Sequence, residues 1–525
     1  MDVDRRTFLK ATGSTVGGGM AAVWLGAAAP SWLGAETAFA ATGRQTLHLR
    51  MTDAEKQMVT HNALNDDATC YFWVYRVVRP TGLPTDVPGP ALFARAGDAV
   101  TVILDNALDE PHNFAIPAAG IRSPTVRPGR RERFTFRVPK AGTYLYYDNL
   151  NPPVNRMMGL HGALVVMPRP SNGTPYSARD VRANPRMRQL FADLGRAPHW
   201  PGLAWGEGAP NRGGFPETPP FRQYVWLLHE ASPRLFAAVG NARPGRNFSA
   251  GAFMDAFIQD RVALNGPGAP PDENRTPQYF TVNGQSGHFS HGSPFITPHL
   301  RVGEPCVIRV LNAGLWTHSM HIHANHMYVM AVNNRFRHQP QALPGQVDNH
   351  IWIDTFTSQP LDTWDWLNPY MRPPDVPNAR GIGLPDRPRL SNAPSFGVYG
   401  DGPGNVTPQA NRTWPPVQEL HMHIPPLGTT AGDGRPMHVP LSPVCFPMHD
   451  HSEPSQTAQG GNYNMGLIAG MNFIGDRTVD ANGVHHSVRN RSLTFPHAPA
   501  DAIANRTRSA AGPRPPFTHL HDGNV

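Results

Sequence analysis

Cysteine is nearly absent. The chain of 525 residues holds three, Cys70, Cys306 and Cys445, and none stands in a C-x-x-C pair. An odd number excludes a complete disulfide framework, although one bridge with a spare thiol fits an oxidising compartment. No stretch beyond the N-terminal segment contains 18 consecutive apolar residues, so no transmembrane helix is expected in the mature chain. Charged residues amount to only 16%, and the net charge of +7 comes from scattered arginines rather than a basic stripe interleaved with aromatics. No nucleic-acid partner is therefore expected. A Ser/His/Asp nucleophile elbow, a phosphate-cradling Gly loop followed by Lys, and a dinucleotide fingerprint are all missing.

Proline and glycine are abundant, at 57 and 50 residues. Neither is tolerated well inside long helices, so an all-β or loop-rich architecture is expected. Length implies two or three domains. The N-terminus carries Arg5-Arg6-Thr7-Phe8-Leu9-Lys10 ahead of a Gly/Ala-rich, weakly apolar run, with Ala38-Phe39-Ala40 as a small-x-small cleavage site. This reads as a Tat-type signal over residues 1–40, which predicts a periplasmic or secreted protein.

Histidine is concentrated where strands are expected. His318-Ser319-Met320-His321-Ile322-His323 and Phe446-Pro447-Met448-His449-Asp450-His451 each contain a His-x-His pair. In an extended strand the two members of a pair face the same way, with Cα atoms about 6.6 Å apart. Two pairs on adjacent strands would build a four-imidazole cluster, a donor set suited to copper or zinc. His318 has the opposite parity to His321 and projects with Asp450 toward the other face, where a hydrogen bond between them or a weak N/O metal site is expected. Cys445 shares the imidazole face but lies about 13 Å along the strand from His449. Two further pairs, His421/His423 and His519/His521, fall outside this pattern and read as surface or tail histidines.

Two segments repeat one another. Gly97-Asp98, the alternating strand Val100 to Leu104, Asn106 and then His112 match Gly303-Glu304, Val307 to Leu311, Asn312 and then His318. Alternating strands bounded by Gly, Pro and Asn suggest β-sandwich domains at 45–170 and 220–475, with a linker at 171–219. A short helix around Pro185 to Leu194 is expected in that linker. A Pro/Gly-rich insertion at about 369–416 interrupts the second domain, and 476–525 forms a C-terminal tail.

On these motifs the chain resembles the multicopper oxidase superfamily, built from cupredoxin (plastocyanin-like) domains. Val87 to Asn106 matches the family's Pro-Gly-Pro, Gly-Asp and Asn pattern. His318 to His323 matches its His-Pro-x-His-x-His strand with Ser319 for the proline, and His449-Asp450-His451 matches its His-Cys-His motif with Asp450 for the cysteine. The resemblance implies two cupredoxin-like Greek-key sandwiches and copper as cofactor. It also implies a blue type 1 site feeding a trinuclear cluster of four His-x-His pairs. Aligned on the repeat, His321 and His323 fall opposite Ala115 and Pro117, and His449, Asp450 and His451 fall opposite Tyr147, Asp148 and Asn149. The first domain thus lacks half of the trinuclear ligands, and Asp450 supplies no thiolate for a type 1 site.

The resulting expectation is an exported copper-binding protein of oxidoreductase type with degenerate copper sites. Its metal residues are His318, His321, His323, His449 and His451, and its reductant is a small molecule or metal ion. A non-catalytic cupredoxin scaffold or a copper-sequestering protein of the cell envelope is the alternative. Two-domain relatives suggest a homotrimer, in which His112 or His161 of a neighbouring subunit would complete a site.

Overall fold

The computed structural model describes residues 46–60, 68–79, 87–168, 222–242, 244–259, 279–292, 299–301, 305–323, 327–336, 352–369, 444–452 and 466–475, with shorter pieces at 22–24, 37–38, 176–177, 179, 296, 455, 477–479 and 485–487. The linker helix expected at Pro185 to Leu194 and the pairs His421/His423 and His519/His521 lie outside the described residues.

Domain one is a sandwich of two sheets. One contains β1 (Thr46–Met58), β2 (Ala68–Arg79), β4 (Ala99–Asn106) and β6 (Arg131–Arg137) in the order β2-β1-β4-β6. The other contains β3 (Ala91–Arg95), β8 (His161–Met167), β7 (Gly142–Tyr147) and β5 (Ala115–Ile116) in that spatial order. Alternation drives the first sheet: Leu47, Leu49 and Met51 on β1 and Val100, Val102 and Leu104 on β4 are buried. Aromatic rings fill the space between the sheets, with Phe114 stacked on Tyr146 at 4.8 Å and on Phe136 at 6.4 Å. The short strand Ala22–Trp24 pairs in parallel with the edge of β3.

Domain two repeats this plan. Strands β10 (Tyr279–Val282), β9 (Arg222–Ala231), β12 (Pro305–Asn312) and β16 (Thr363–Pro369) run in the order β10-β9-β12-β16, continued by β14 (Met327–Val332). The facing sheet has the order β11 (His299–Arg301), β18 (Ile468–Gly475), β17 (Val444–Asp450), β13 (His318–Ile322) and β15 (Thr355–Ser358). Parallel and antiparallel neighbours match domain one strand for strand: β1 and β4 are parallel like β9 and β12, and β3 and β8 like β11 and β18. The fold is all-β with two cupredoxin-like sandwiches. Sequence patterning did not anticipate the helices α1 (Pro233–Gly240) and α2 (Ala250–Gln259), which follow β9, or the extra strands β14 and β15. The tail contains a two-strand ribbon, Arg477–Val479 with His485–Ser487.

The domains pack sheet against sheet. Every residue of β8 is buried, because one face meets its own core and the other meets domain two. Phe93, Leu145, Ala163 and Val165 of domain one contact Val225, Leu227 and Leu311 of domain two in one apolar cluster. Fully burying a Val or Leu there contributes about 1.5–3 kcal/mol relative to exposure. At the margin, buried Arg309 donates to Thr143 Oγ1 (2.9 Å), Asp365 Oδ2 (3.3 Å) and Gln223 Oε1 (2.6 and 2.9 Å). Thr143 Oγ1 donates to Asp365 Oδ1 (2.6 Å), and Tyr176, beyond the end of β8, donates to Asp365 Oδ2 (2.7 Å). Cys70 and Cys306 are both buried and are not disulfide-bonded to each other. Among the described residues, no helix is long and apolar enough to cross a membrane.

Candidate metal centre

The two histidine-rich segments become neighbouring antiparallel strands. Register sets His321 directly opposite His449, with Met320 opposite Asp450 and Ile322 opposite Met448. Burial follows the parity of β13: His318, Met320 and Ile322 are buried, while Ser319 and His321 are half-buried. Met320, Ile322 and Met448 thus pack into the sandwich core, and the imidazoles of the two pairs stand on the opposite face.

There the four rings form one cluster. Ring centroids are 5.0 Å apart for His321 and His323, 4.9 Å for His321 and His451, 4.8 Å for His323 and His449, and 4.7 Å for His449 and His451. One ligand nitrogen each from His321, His323 and His449 lie within 4.8 Å of one another, and His323 Nε2 and His449 Nε2 approach to 2.7 Å. His321 Nδ1 donates to the Asp354 carbonyl at 3.0 Å, which leaves its Nε2 bearing the lone pair. Burial lowers the pKa of His449 to about 4, and burial followed by the charge of His321 lowers that of His323. Neutral rings with inward lone pairs are the form that binds a metal.

His318 is set apart from these four. It donates from Nδ1 to Asp450 Oδ2 (2.6 Å) and from Nε2 to Glu230 Oε1 (2.8 Å), with all three side chains fully buried. Burial alone would lower its pKa, but the two carboxylates outweigh that and raise it to about 10, so it is an imidazolium with both nitrogens engaged. Asp450 also accepts from the backbone N–H of Ser319 (2.6 Å) and of Ser452 (3.0 Å), and from the Ser452 hydroxyl. It therefore ties β13 to the end of β17 and holds the two histidine pairs in register. Sequence reasoning anticipated the contact between His318 and Asp450 but missed Glu230. That residue sits on β9 with no motif around it, and only packing brings it to the ring. Gly314 makes room for it: a Cβ there would lie 2.1 Å from Glu230 Oε1.

Domain one builds the same dyad without the cluster. His112 Nδ1 donates to Asp148 Oδ2 at 2.7 Å, and the N–H of Asn113 donates to the same oxygen at 3.1 Å. The asparagines preceding each histidine by six residues also match. Asn106 donates to the Glu110 and Val126 carbonyls and accepts from Leu108 N–H, as Asn312 donates to the Trp316 and Ser358 carbonyls and accepts from Gly314 N–H. Around the domain-one dyad stand Trp73, edge-on to His112 at 5.1 Å, and Glu110, whose pKa burial raises to about 7.

The multicopper oxidase family model matches residues 77–171, from the end of β2 through β8. L-ascorbate oxidase of Cucumis sativus is 33% identical over 108 residues, 18% of this chain and 18% of that protein. L-ascorbate oxidase of Nicotiana tabacum is 34% identical over 98 residues, 16% of this chain and 17% of that protein. Over this first-domain segment the chain is similar to the multicopper oxidase superfamily. It matches only 18% of the length of the first of these curated relatives. Among solved structures, it is similar to a blue copper oxidase from Nitrosomonas europaea at 15% identity, with a TM-score of 0.43 over 82% of this chain and 85% of the other. It is also similar to a copper nitrite reductase from the same organism at 15% identity, with a TM-score of 0.35 over 62% and 84%. Copper is the cofactor of this superfamily. The convergent imidazoles of His321, His323, His449 and His451 suit it, as nitrogen donors of intermediate softness. At the pole holding Asp450, position 450 supplies oxygen rather than a thiolate, and both nitrogens of His318 are committed to carboxylates.

Proposed function

We propose that this protein is an exported copper-binding oxidoreductase of multicopper oxidase type, with copper held by His321, His323, His449 and His451 and no type 1 centre. The observation that carries this reading is the cluster itself, where nitrogens of three histidines from two paired strands lie within 4.8 Å of one another. Bound copper would supply one-electron chemistry to a small organic or metal-ion reductant arriving at the half-exposed face. The protein's part is orientation. The Asp354 carbonyl fixes the tautomer of His321, and Asp450 fixes the strand register that sets the His321/His449 pair opposite one another.

Elemental analysis with EPR of copper-reconstituted full-length protein tests the reading, beside the H449A/H451A variant. Stoichiometric copper with a nitrogen-ligated Cu(II) spectrum is expected, lost in the variant and without intense blue absorption. Copper held equally well by the variant would overturn it. The twin dyads favour a second reading, a cupredoxin scaffold that keeps copper without turnover. Copper binding with no oxidation of any small reductant would select it. Export rests on Arg5-Arg6, and R5K/R6K is expected to retain the protein in the cytoplasm.

A further inference from the structure

Where β8 of domain one meets β9 of domain two, two histidines face each other that neither the cluster nor the dyads use. His161 and His229 are 1% and 3% exposed, with ring centroids 4.5 Å apart and planes tilted by 42°. His161 Nδ1 donates to the Arg156 carbonyl at 2.8 Å, and His229 is hydrogen-bonded to the next carbonyl along, that of Met157. The Nε2 of each ring is buried and has no hydrogen-bond partner among the described residues. Both rings therefore spend their one N–H on backbone and keep a bare lone pair on Nε2. Burial holds both neutral, lowering the pKa of His161 to about 3 and that of His229 well below its ordinary value. Buried acceptors are almost always satisfied. One ring nitrogen on a carbonyl and the other left bare is also how metal-binding histidines are held.

We propose that His161 Nε2 and His229 Nε2 form a second metal site, bridging the two domains and selective for a soft monovalent cation such as Cu(I). Selectivity follows from the surroundings. The Arg156 guanidinium stands close enough that its charge acts on both rings, and it is fixed by the Ala313 and Gly314 carbonyls. A divalent ion would meet that charge in a site screened from water. Glu230, the residue after His229, is committed to His318 and to the N–H of Leu315, so its carboxylate is not available to complete a divalent shell. Two neutral nitrogens satisfy the low coordination number of a monovalent d10 ion, whereas zinc seeks four ligands. With one ligand on each domain, the ion would fasten β8 to β9.

Anaerobic titration of the full chain with Cu(I), and separately with Ag(I), tests this in the H449A/H451A background, where the cluster is disabled. One monovalent ion per chain is expected to remain, with nitrogen-only ligation by X-ray absorption. Adding H229F or H161F should weaken it more than 10-fold with an unchanged circular dichroism spectrum. Absence of that ion, or its survival in H229F, would overturn the site. Should both phenylalanine variants fail to fold, Ag(I)-induced shifts of the two Nε2 resonances in the unsubstituted protein decide. No shift refutes the proposal. Because the cluster is disabled throughout the titration, failure here leaves the reading of the cluster standing.

Discussion

Domain one and domain two carry a histidine six residues after a buried asparagine and an aspartate at the end of the penultimate strand of the sandwich, and in both the pair meets at 2.6–2.7 Å. The surroundings then diverge. In domain two the histidine is clamped by a second carboxylate, Glu230, and Asp450 is flanked by His449 and His451. In domain one His112 Nε2 has no partner among the described residues, and Asp148 is flanked by Tyr147 and Asn149. The dyad therefore belongs to the scaffold, holding two strands at one pole of each sandwich. Metal capacity is added only where the neighbouring positions are imidazoles.

The largest contrast is expected in metal binding. H321A/H449A should weaken copper binding by roughly 100-fold or more, since replacing even the partners of metal ligands costs about 10–100-fold. Replacing Tyr147 or Asn149 by Ala should leave the affinity unchanged by calorimetric titration. Next comes stability. D450A removes one of two carboxylates from a buried imidazolium and leaves the N–H groups of Ser319 and Ser452 without their acceptor, and should cost about 3–5 kcal/mol in denaturant unfolding. D148A leaves one less engaged ring and should cost nearer 1–3 kcal/mol. Equal losses would dissolve the distinction between the dyads.

The pH dependence sharpens the comparison further. His318 is raised from 6.5 to about 10, so its contribution is complete below 6.5 and lost as pH rises through about 10. His161 is lowered from 6.5 to about 3, so its contribution is complete above 6.5 and lost as pH falls through about 3. Unfolding curves across pH should show both limbs, with H318Q flattening the alkaline one. The smallest difference is expected at the shared asparagines. N106A and N312A should each cost about 1–3 kcal/mol by leaving two carbonyls and an N–H unsatisfied, and the two losses should be alike.

Much of this was legible in the residues. The Gly-Asp, Asn and His spacing repeats at 97–112 and 303–318, and alternation within each segment gave the strands. Strand parity alone separates His318 and Asp450 from the four imidazoles. Glu230, His229 and Arg156 carried no signal, because each matters through a neighbour more than 60 residues away in the chain, and no local pattern encodes such a contact. Arg309 is similar: an isolated arginine in an apolar strand, meaningful only once Thr143 and Asp365 close around it.

The sequence by itself determined which side chains share a face, because side-chain direction in a strand has a period of two and depends on nothing beyond the strand. It also determined that position 450 offers oxygen rather than sulfur. Only the tertiary structure decided that His318 is charged and that His161 and His229 meet across the domain interface. Charge state and lone-pair availability depend on which groups from distant strands arrive around a buried ring, and packing alone sets that.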